Sequence, residues 1–178
     1  MDPITSYKFI LHRVAHIIRI TGGSCGGMTM GMAALEAPHL IGAAALSVGA
    51  FDLLRMAGGS AAGARSIRDI GDPATAEGVR RITALSPYQQ VVDGAPRPAF
   101  LVTNGATDYT IPLWVGGKFV ARLNAASPDG PPVLWDIAWE GGHNAGVDYV
   151  QLDTDQMAFM FWQLGHPDFQ PGIPPSDR

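Results

Sequence analysis

His16-Ile17-Ile18-Arg19-Ile20-Thr21 (HIIRIT), then Gly22-Gly23-Ser24-Cys25-Gly26-Gly27 (GGSCGG), then Met28–Ala37 (MTMGMAALEA) is the stretch whose reading decides the fold. The first part is short and β-branched and ends at a glycine pair, which reads as a strand. The segment Gly26–Ala37 is rich in Met, Ala and Leu and stops before Pro38, which reads as a helix. Between them lies G-x-S-x-G. With 22 glycines in 178 residues that match could arise by chance, so the strand–turn–helix context carries the argument. In that context the turn is a nucleophile elbow, and Ser24 stands exposed above the sheet. Side chains two before and two after the Ser would clash, which explains glycine there. The helix aims its N-terminus at the same spot, so the free N–H of Cys25 can meet a developing oxyanion, with Gly23 on the other side of Ser24.

Working outward, Ile41–Val48, Ala99–Thr103 (AFLVT) and Val133–Trp139 read as further strands. Gly117–Ala126 and Thr154–Leu164 (TDQMAFMFWQL) have helical spacing. Strands alternating with helices predict an α/β fold with a short parallel sheet of about four strands. An elbow on such a sheet is the α/β-hydrolase arrangement, in which the partners of the Ser follow in the order acid, then His, each on a loop after a later strand. Ala99–Thr103 is followed by Asn104-Gly105-Ala106-Thr107-Asp108, which puts Asp108 at the acid position. Val133–Trp139 is followed by Glu140-Gly141-Gly142-His143, which puts His143 at the base position. His143 would take the Ser24 proton and Asp108 would fix its tautomer.

The rivals fit less well. His12 and His16 precede the Ser and break the order; His39 sits at a helix end and His166 beyond the last helix. Asp93 precedes its strand, Asp148 follows the His, and Glu140 reads as a strand-end charge or a group behind His143. Cys25 reads as a neighbour turned into the helix, not as a thiol nucleophile. Met28, Met30 and Met32 suit helix packing better than an acyl pocket. Tyr109 and Trp114 flank Asp108 and are expected to wall the site. Gly58–Gly71 reads as a loop or weak helix, and Pro167–Arg178, with four prolines, as an extended tail.

The composition bounds the rest. The chain of 178 residues reads as one domain, residues 1–178, with 47% hydrophobic residues and a net charge of −4. Charged residues make up only 16%, low enough to suggest an oligomer interface. No Lys/Arg cluster suggests a nucleic-acid partner. One cysteine excludes an internal disulfide and a Cys-based zinc site, so no metal and no cofactor is expected. There is no secretory pattern and no apolar run near about 20 residues, so a cytoplasmic protein with no membrane partner is expected.

With these residues in place the chain resembles the prolyl oligopeptidase family of serine peptidases, from about Arg19 to about Phe169. GGSCGG (22–27) is similar to the family's GGSNGG, with Cys25 where Asn is usual. AAALSVGAFDLLRM (43–56) resembles the strand after the nucleophile and its aspartate-bearing turn, and LSPYQQV (85–91) the loop before the acid strand. GATDYTIPLW (105–114) resembles the acid loop and GGHNAG (141–146) the histidine loop. The resemblance implies a triad of Ser24, Asp108 and His143. It also implies a β-propeller, N-terminal strands and an upstream oxyanion Tyr, for which only some 23 residues precede Ser24. The family's peptide-gripping Arg falls on Thr110, and its proline-stacking Trp on Met56–Arg68, which has no aromatic residue. A site so stripped is expected to favour esters, which need less positioning than amides. The sequence therefore predicts a carboxylesterase acting on small-molecule, short-chain acyl esters. A small prolyl-type peptidase is the alternative, and a non-catalytic partner-binding remnant the second. A homo-oligomer is expected as well, because the strand His16–Thr21 would otherwise expose an unpaired edge.

Overall fold

A computed structural model describes residues 18–59, 70–144 and 146–172. Its sheet is built from β1 (Ile18–Gly23), β2 (Ile41–Ser47), β3 (Ala99–Gly105) and β4 (Val133–Ala138). All are parallel and in the order β1-β2-β3-β4. Helices connect them: α1 (Cys25–Glu36) after β1; α2 (Leu53–Met56), α3 (Ala76–Ala84) and α4 (Pro87–Gln90) between β2 and β3; α5 (Leu113–Ala126) before β4. The chain closes with α6 (Tyr149–Gln163) and a 3-10 turn, Pro167–Phe169. This is the α/β class and the four-stranded parallel sheet expected from the sequence.

The two faces of the sheet separate by the period of two that strands impose. Ala44, Leu46, Phe100 and Val102 join one core with Ala34 of α1 and with Phe119, Val120 and Leu123 of α5. Their neighbours Ala43, Ala45, Ala99 and Leu101 join the other, under Phe159 and Met160 of α6. The central strands are covered on both faces, which is why β2 and β3 read as continuous apolar runs. Three aromatic rings lock the first core: Phe51 stacks on Phe119 at 4.4 Å, and Phe100 meets Phe119 edge-on at 5.8 Å.

Several boundaries differ from the sequence reading. Strand β3 runs on through Asn104 and Gly105, because Asn104 is buried and accepts from the Trp135 Nε1–H of β4 at 3.0 Å. Helix α5 begins at Leu113, four residues earlier than expected, and α6 begins at Tyr149, with Asp148 accepting from the N–H groups of Val150 and Gln151. Helices α2, α3 and α4 are additions to the sequence reading. Most of the predicted loop Gly58–Gly71, the start of the predicted strand at His16, and His12 lie outside the described residues, as does the tail beyond Gly172. Pro167–Phe169 is a turn of 3-10 helix, not extended chain.

Strand β1 has β2 on one side and, among the described residues, no strand on the other. Arg19 of β1 donates to the Gln163 carbonyl at the end of α6, 2.6 Å away, and so ties this outer strand to the helix on the second face. None of the described helices is long and apolar enough to cross a membrane.

Candidate active site

The elbow is built by close packing of backbone. Ser24 has φ 55° and ψ −123°, a left-handed conformation forced by the reversal from β1 into α1. A Cβ on Gly22 would lie 2.4 Å from the Gly26 carbonyl oxygen, and one on Gly27 would lie 2.9 Å from the Gly49 Cα. A Cβ on Gly26 would meet nothing within 4 Å. The tight positions are thus two before and three after the Ser, not two after as expected. The reason is that α1 leans on the turn following β2, and Gly27 is the residue at that crossing.

That turn holds the elbow in place. The Ser24 N–H donates to the Ser47 carbonyl at 3.0 Å, and the Ala50 N–H donates back to the Ser24 carbonyl at 3.4 Å. Between them Val48 has φ 44°. Ser24 and Val48 are the two non-glycine residues with positive φ among the described residues. For a β-branched side chain this region is strained, at a cost on the order of 1–3 kcal/mol. The Val48 N–H donates to the Thr103 carbonyl at 2.7 Å, which clamps the strained residue to β3.

The three side chains singled out by the sequence meet at this end of the sheet. The His143 Nε2 lies 3.0 Å from the Ser24 Oγ, and its Nδ1 lies 2.7 Å from the Asp108 Oδ2. The Asp108 carboxylate is fully buried and its Oδ1 accepts from the Thr110 and Ile111 N–H groups at 2.8 and 2.9 Å. An ionised carboxylate only accepts, so it holds the proton on Nδ1 and leaves Nε2 free to accept from the Ser hydroxyl. The His143 loop is itself fastened at both ends. Thr107 donates through its N–H and its hydroxyl to the Gly141 carbonyl, both at 2.9 Å, and the Tyr149 hydroxyl donates to the Asn144 carbonyl at 3.2 Å. Cys25 is exposed as the first residue of α1, where backbone N–H groups lack intrahelical partners.

A cavity of about 300 Å³ opens beside the row, and Gly23, Ser24 and His143 border it. Tyr109 and Trp114 do not. Tyr109 is exposed beside Asp108, and Trp114 borders a separate hollow with Arg55 and Lys118. The Lys118 ammonium lies over the Tyr88 ring and pairs with Asp52, a second buried carboxylate. Among the described residues, the hydrogen bonds of the His143 ring go to Ser24 and Asp108, and several of the rival histidines and acids have other surroundings. His39 is exposed, His166 packs on Phe161 and Phe169, Asp93 pairs with Arg122, and Asp148 caps α6. Met28 and Met30 pack against the core. No group of three metal-ligating side chains occurs among the described residues. Sequence reasoning did not single out Val48, Val147, Tyr149 and Leu152, which also line the cavity. Val48 reads locally as the last apolar residue of a strand, and nothing in its neighbours announces a positive φ.

With the geometry in hand, three comparisons bear on it. A family profile described as "Prolyl oligopeptidase family" matches residues 15–166. The dual function macrocyclase-peptidase of Amanita bisporigera is 33% identical over 158 residues, covering 83% of this chain and 21% of that protein. The prolyl endopeptidase of Elizabethkingia miricola is 30% identical over 154 residues, covering 82% of this chain and 21% of that protein. The solved structure of prolyl oligopeptidase B from Galerina marginata superposes with a TM-score of 0.71 at 28% identity, covering 83% of this chain and 20% of that one. The chain spans about a fifth of the length of the curated relatives it matches. These relatives are named as peptidases, and the ester preference expected from the sequence finds no support among them. That expectation rested on Thr110 and on Met56–Arg68. The Thr110 N–H supports Asp108, and most of the second segment lies outside the described residues.

Proposed function

The chain belongs to the prolyl oligopeptidase family, a family of serine hydrolases, and on that premise we propose that it is a serine peptidase acting through Ser24, His143 and Asp108. The observation that carries this reading is the unbroken row of hydrogen bonds from the Ser24 Oγ through both nitrogens of His143 to a buried carboxylate. Such a row serves esters and amides alike, and what favours the amide is the family profile and the relatives named as peptidases.

In this mechanism the Ser24 Oγ attacks the scissile carbonyl carbon while His143 Nε2 takes its proton. The C=O π pair moves to oxygen, and the oxyanion is met by the Cys25 N–H at the positive end of α1. The C–N bond then breaks as His143 returns the proton to the leaving nitrogen, which gives an acyl-enzyme and a free amine. Water attacks the ester in turn, with His143 as base, and releases acid and Ser24.

The test compares a Gly-Pro amide carrying a fluorogenic leaving group with p-nitrophenyl butyrate. Cleavage of the amide, lost in Ser24→Ala, is the expected result. Ester turnover without measurable amide turnover would overturn the peptidase reading and restore the esterase.

We also propose that the outer edge of β1 is covered in solution by a second copy of the chain, since exposed strand edges are liabilities that proteins cover or pair. Light scattering after size exclusion is expected to give twice 18.8 kDa. A fully active monomer of 18.8 kDa would refute it.

A further inference from the structure

We propose that the cavity floored by Val48 is the subsite for the leaving-group side of the substrate, and that it takes an uncharged side chain on the residue after the scissile bond. The inference rests on the peptidase reading above and deepens it.

Position comes first. The proton that His143 Nε2 takes from Ser24 must reach the leaving nitrogen, so the leaving group lies on the imidazole side of the Ser24 Oγ. The oxyanion lies on the other side, toward the Cys25 N–H. The cavity is on the imidazole side. It is bordered by Gly142 and His143, by Val147 from the same loop, and by Tyr149 and Leu152 of the first turn of α6. Its floor is the end of β2 and β3, at Val48 and Thr103. The first N–H groups of α6 are taken up by Asp148, so that helix start offers no anion site.

Chemistry comes second. Apart from His143, no residue bordering the cavity carries an ionisable acid or a cation at neutral pH, and a charged side chain would be desolvated there without a partner. The volume, about 300 Å³, suits one side chain of Leu or Phe size.

Third is the strain. Val48 has φ 44°, its N–H donates to the Thr103 carbonyl at 2.7 Å, and the residue so held borders the cavity. A strained β-branched residue bordering the site of chemistry is the pattern expected where the side chain itself has a task.

The subsite can be read separately from acylation. The acyl-enzyme is formed from a p-nitrophenyl ester and allowed to partition between water and an amino-acid amide. In aminolysis the added amine nitrogen attacks the acyl carbon, and His143 takes its proton. The carbon–Oγ bond then breaks, and the proton passes to Ser24, which regenerates the enzyme and leaves a new amide. The ratio of amide to acid cancels any change in acylation rate. For the unaltered protein Leu-amide is expected to give a ratio at least tenfold above Asp-amide and Lys-amide at equal concentration of free amine. Val48→Phe is expected to lower the Leu-amide ratio at least tenfold, and Val48→Ala to raise the Phe-amide ratio relative to Ala-amide. Equal ratios across the amides on the unaltered protein would overturn the proposal whether or not either variant folds. A methyl chemical-shift titration of Ser24→Ala with Leu-amide needs no turnover, so it stands even if the peptidase reading fails. Shifts at Val48, Val147 and Leu152 are expected, and their absence would overturn the subsite alone.

Discussion

Ser24→Ala is expected to lower kcat by at least about 10⁴-fold on any acyl substrate, with the urea midpoint of unfolding unchanged. The two halves of this expectation have separate causes. Chemistry is lost because no other hydroxyl occupies the position 3.0 Å from His143 Nε2, and the base has no nucleophile to activate. Stability is retained because the elbow is held by backbone. The Ser24 N–H bond to Ser47, the Ala50 N–H bond to the Ser24 carbonyl and the close approach of Gly27 to Gly49 do not involve the hydroxyl. Alanine keeps the Cβ, so the strain at φ 55° is the same in both proteins. Single-turnover kinetics together with mass spectrometry of a fluorophosphonate adduct measures it. The adduct should map to Ser24 and vanish in the variant. An adduct on the exposed Cys25 would assign the reaction to the thiol next door.

The elbow was legible in the sequence because its constraint is local: strand, turn and helix are contiguous, and a glycine such as Gly22 is dictated by a residue four positions away. Asp108 and His143 were legible for a different reason, since chain order and strand ends place them without any knowledge of distance. What the sequence hid depends on partners far along the chain. Asn104 looked like the start of a loop because a polar residue ends an apolar run, yet it belongs to β3 and accepts from Trp135, 31 positions on. Gly116 opens against that same Asn104, since a Cβ there would lie 1.8 Å from the Asn104 Oδ1, so the first turn of α5 can lie this close to Asn104 only with glycine at that position. Helix α3 did carry local signals: Thr75 accepts from the Gly78 N–H, and Glu77 sits in the first turn and Arg81 in the last. Its short amphipathic pattern was masked by the Gly- and Ala-rich segment before it. Asp148 read as a spare acid near His143, although its carboxylate serves the start of α6.

Asp108→Asn is expected to lower kcat by about 10⁴-fold, the loss seen when the carboxylate of a Ser-His-Asp triad becomes an amide, with KM changed little. The argument follows the protons. The Asn oxygen would keep the place of Oδ1, because the Thr110 and Ile111 N–H groups both need an acceptor there. Its NH₂ must then face His143 Nδ1, which turns that nitrogen into an acceptor. The ring proton moves to Nε2, where it points at the Ser24 Oγ from 3.0 Å. The imidazole would then be positioned as before but unable to take the hydroxyl proton. Asp108→Ala is the contrasting variant. It leaves the buried Ile111 N–H and the part-buried Thr110 N–H without that acceptor and is expected to cost about 1–3 kcal/mol of stability as well as activity. The pair therefore separates support from chemistry, since both lose turnover and only the alanine lowers the unfolding midpoint. Turnover by Asp108→Asn within tenfold of the unaltered protein would remove Asp108 from the mechanism and leave it a buried acceptor for the turn that starts α5.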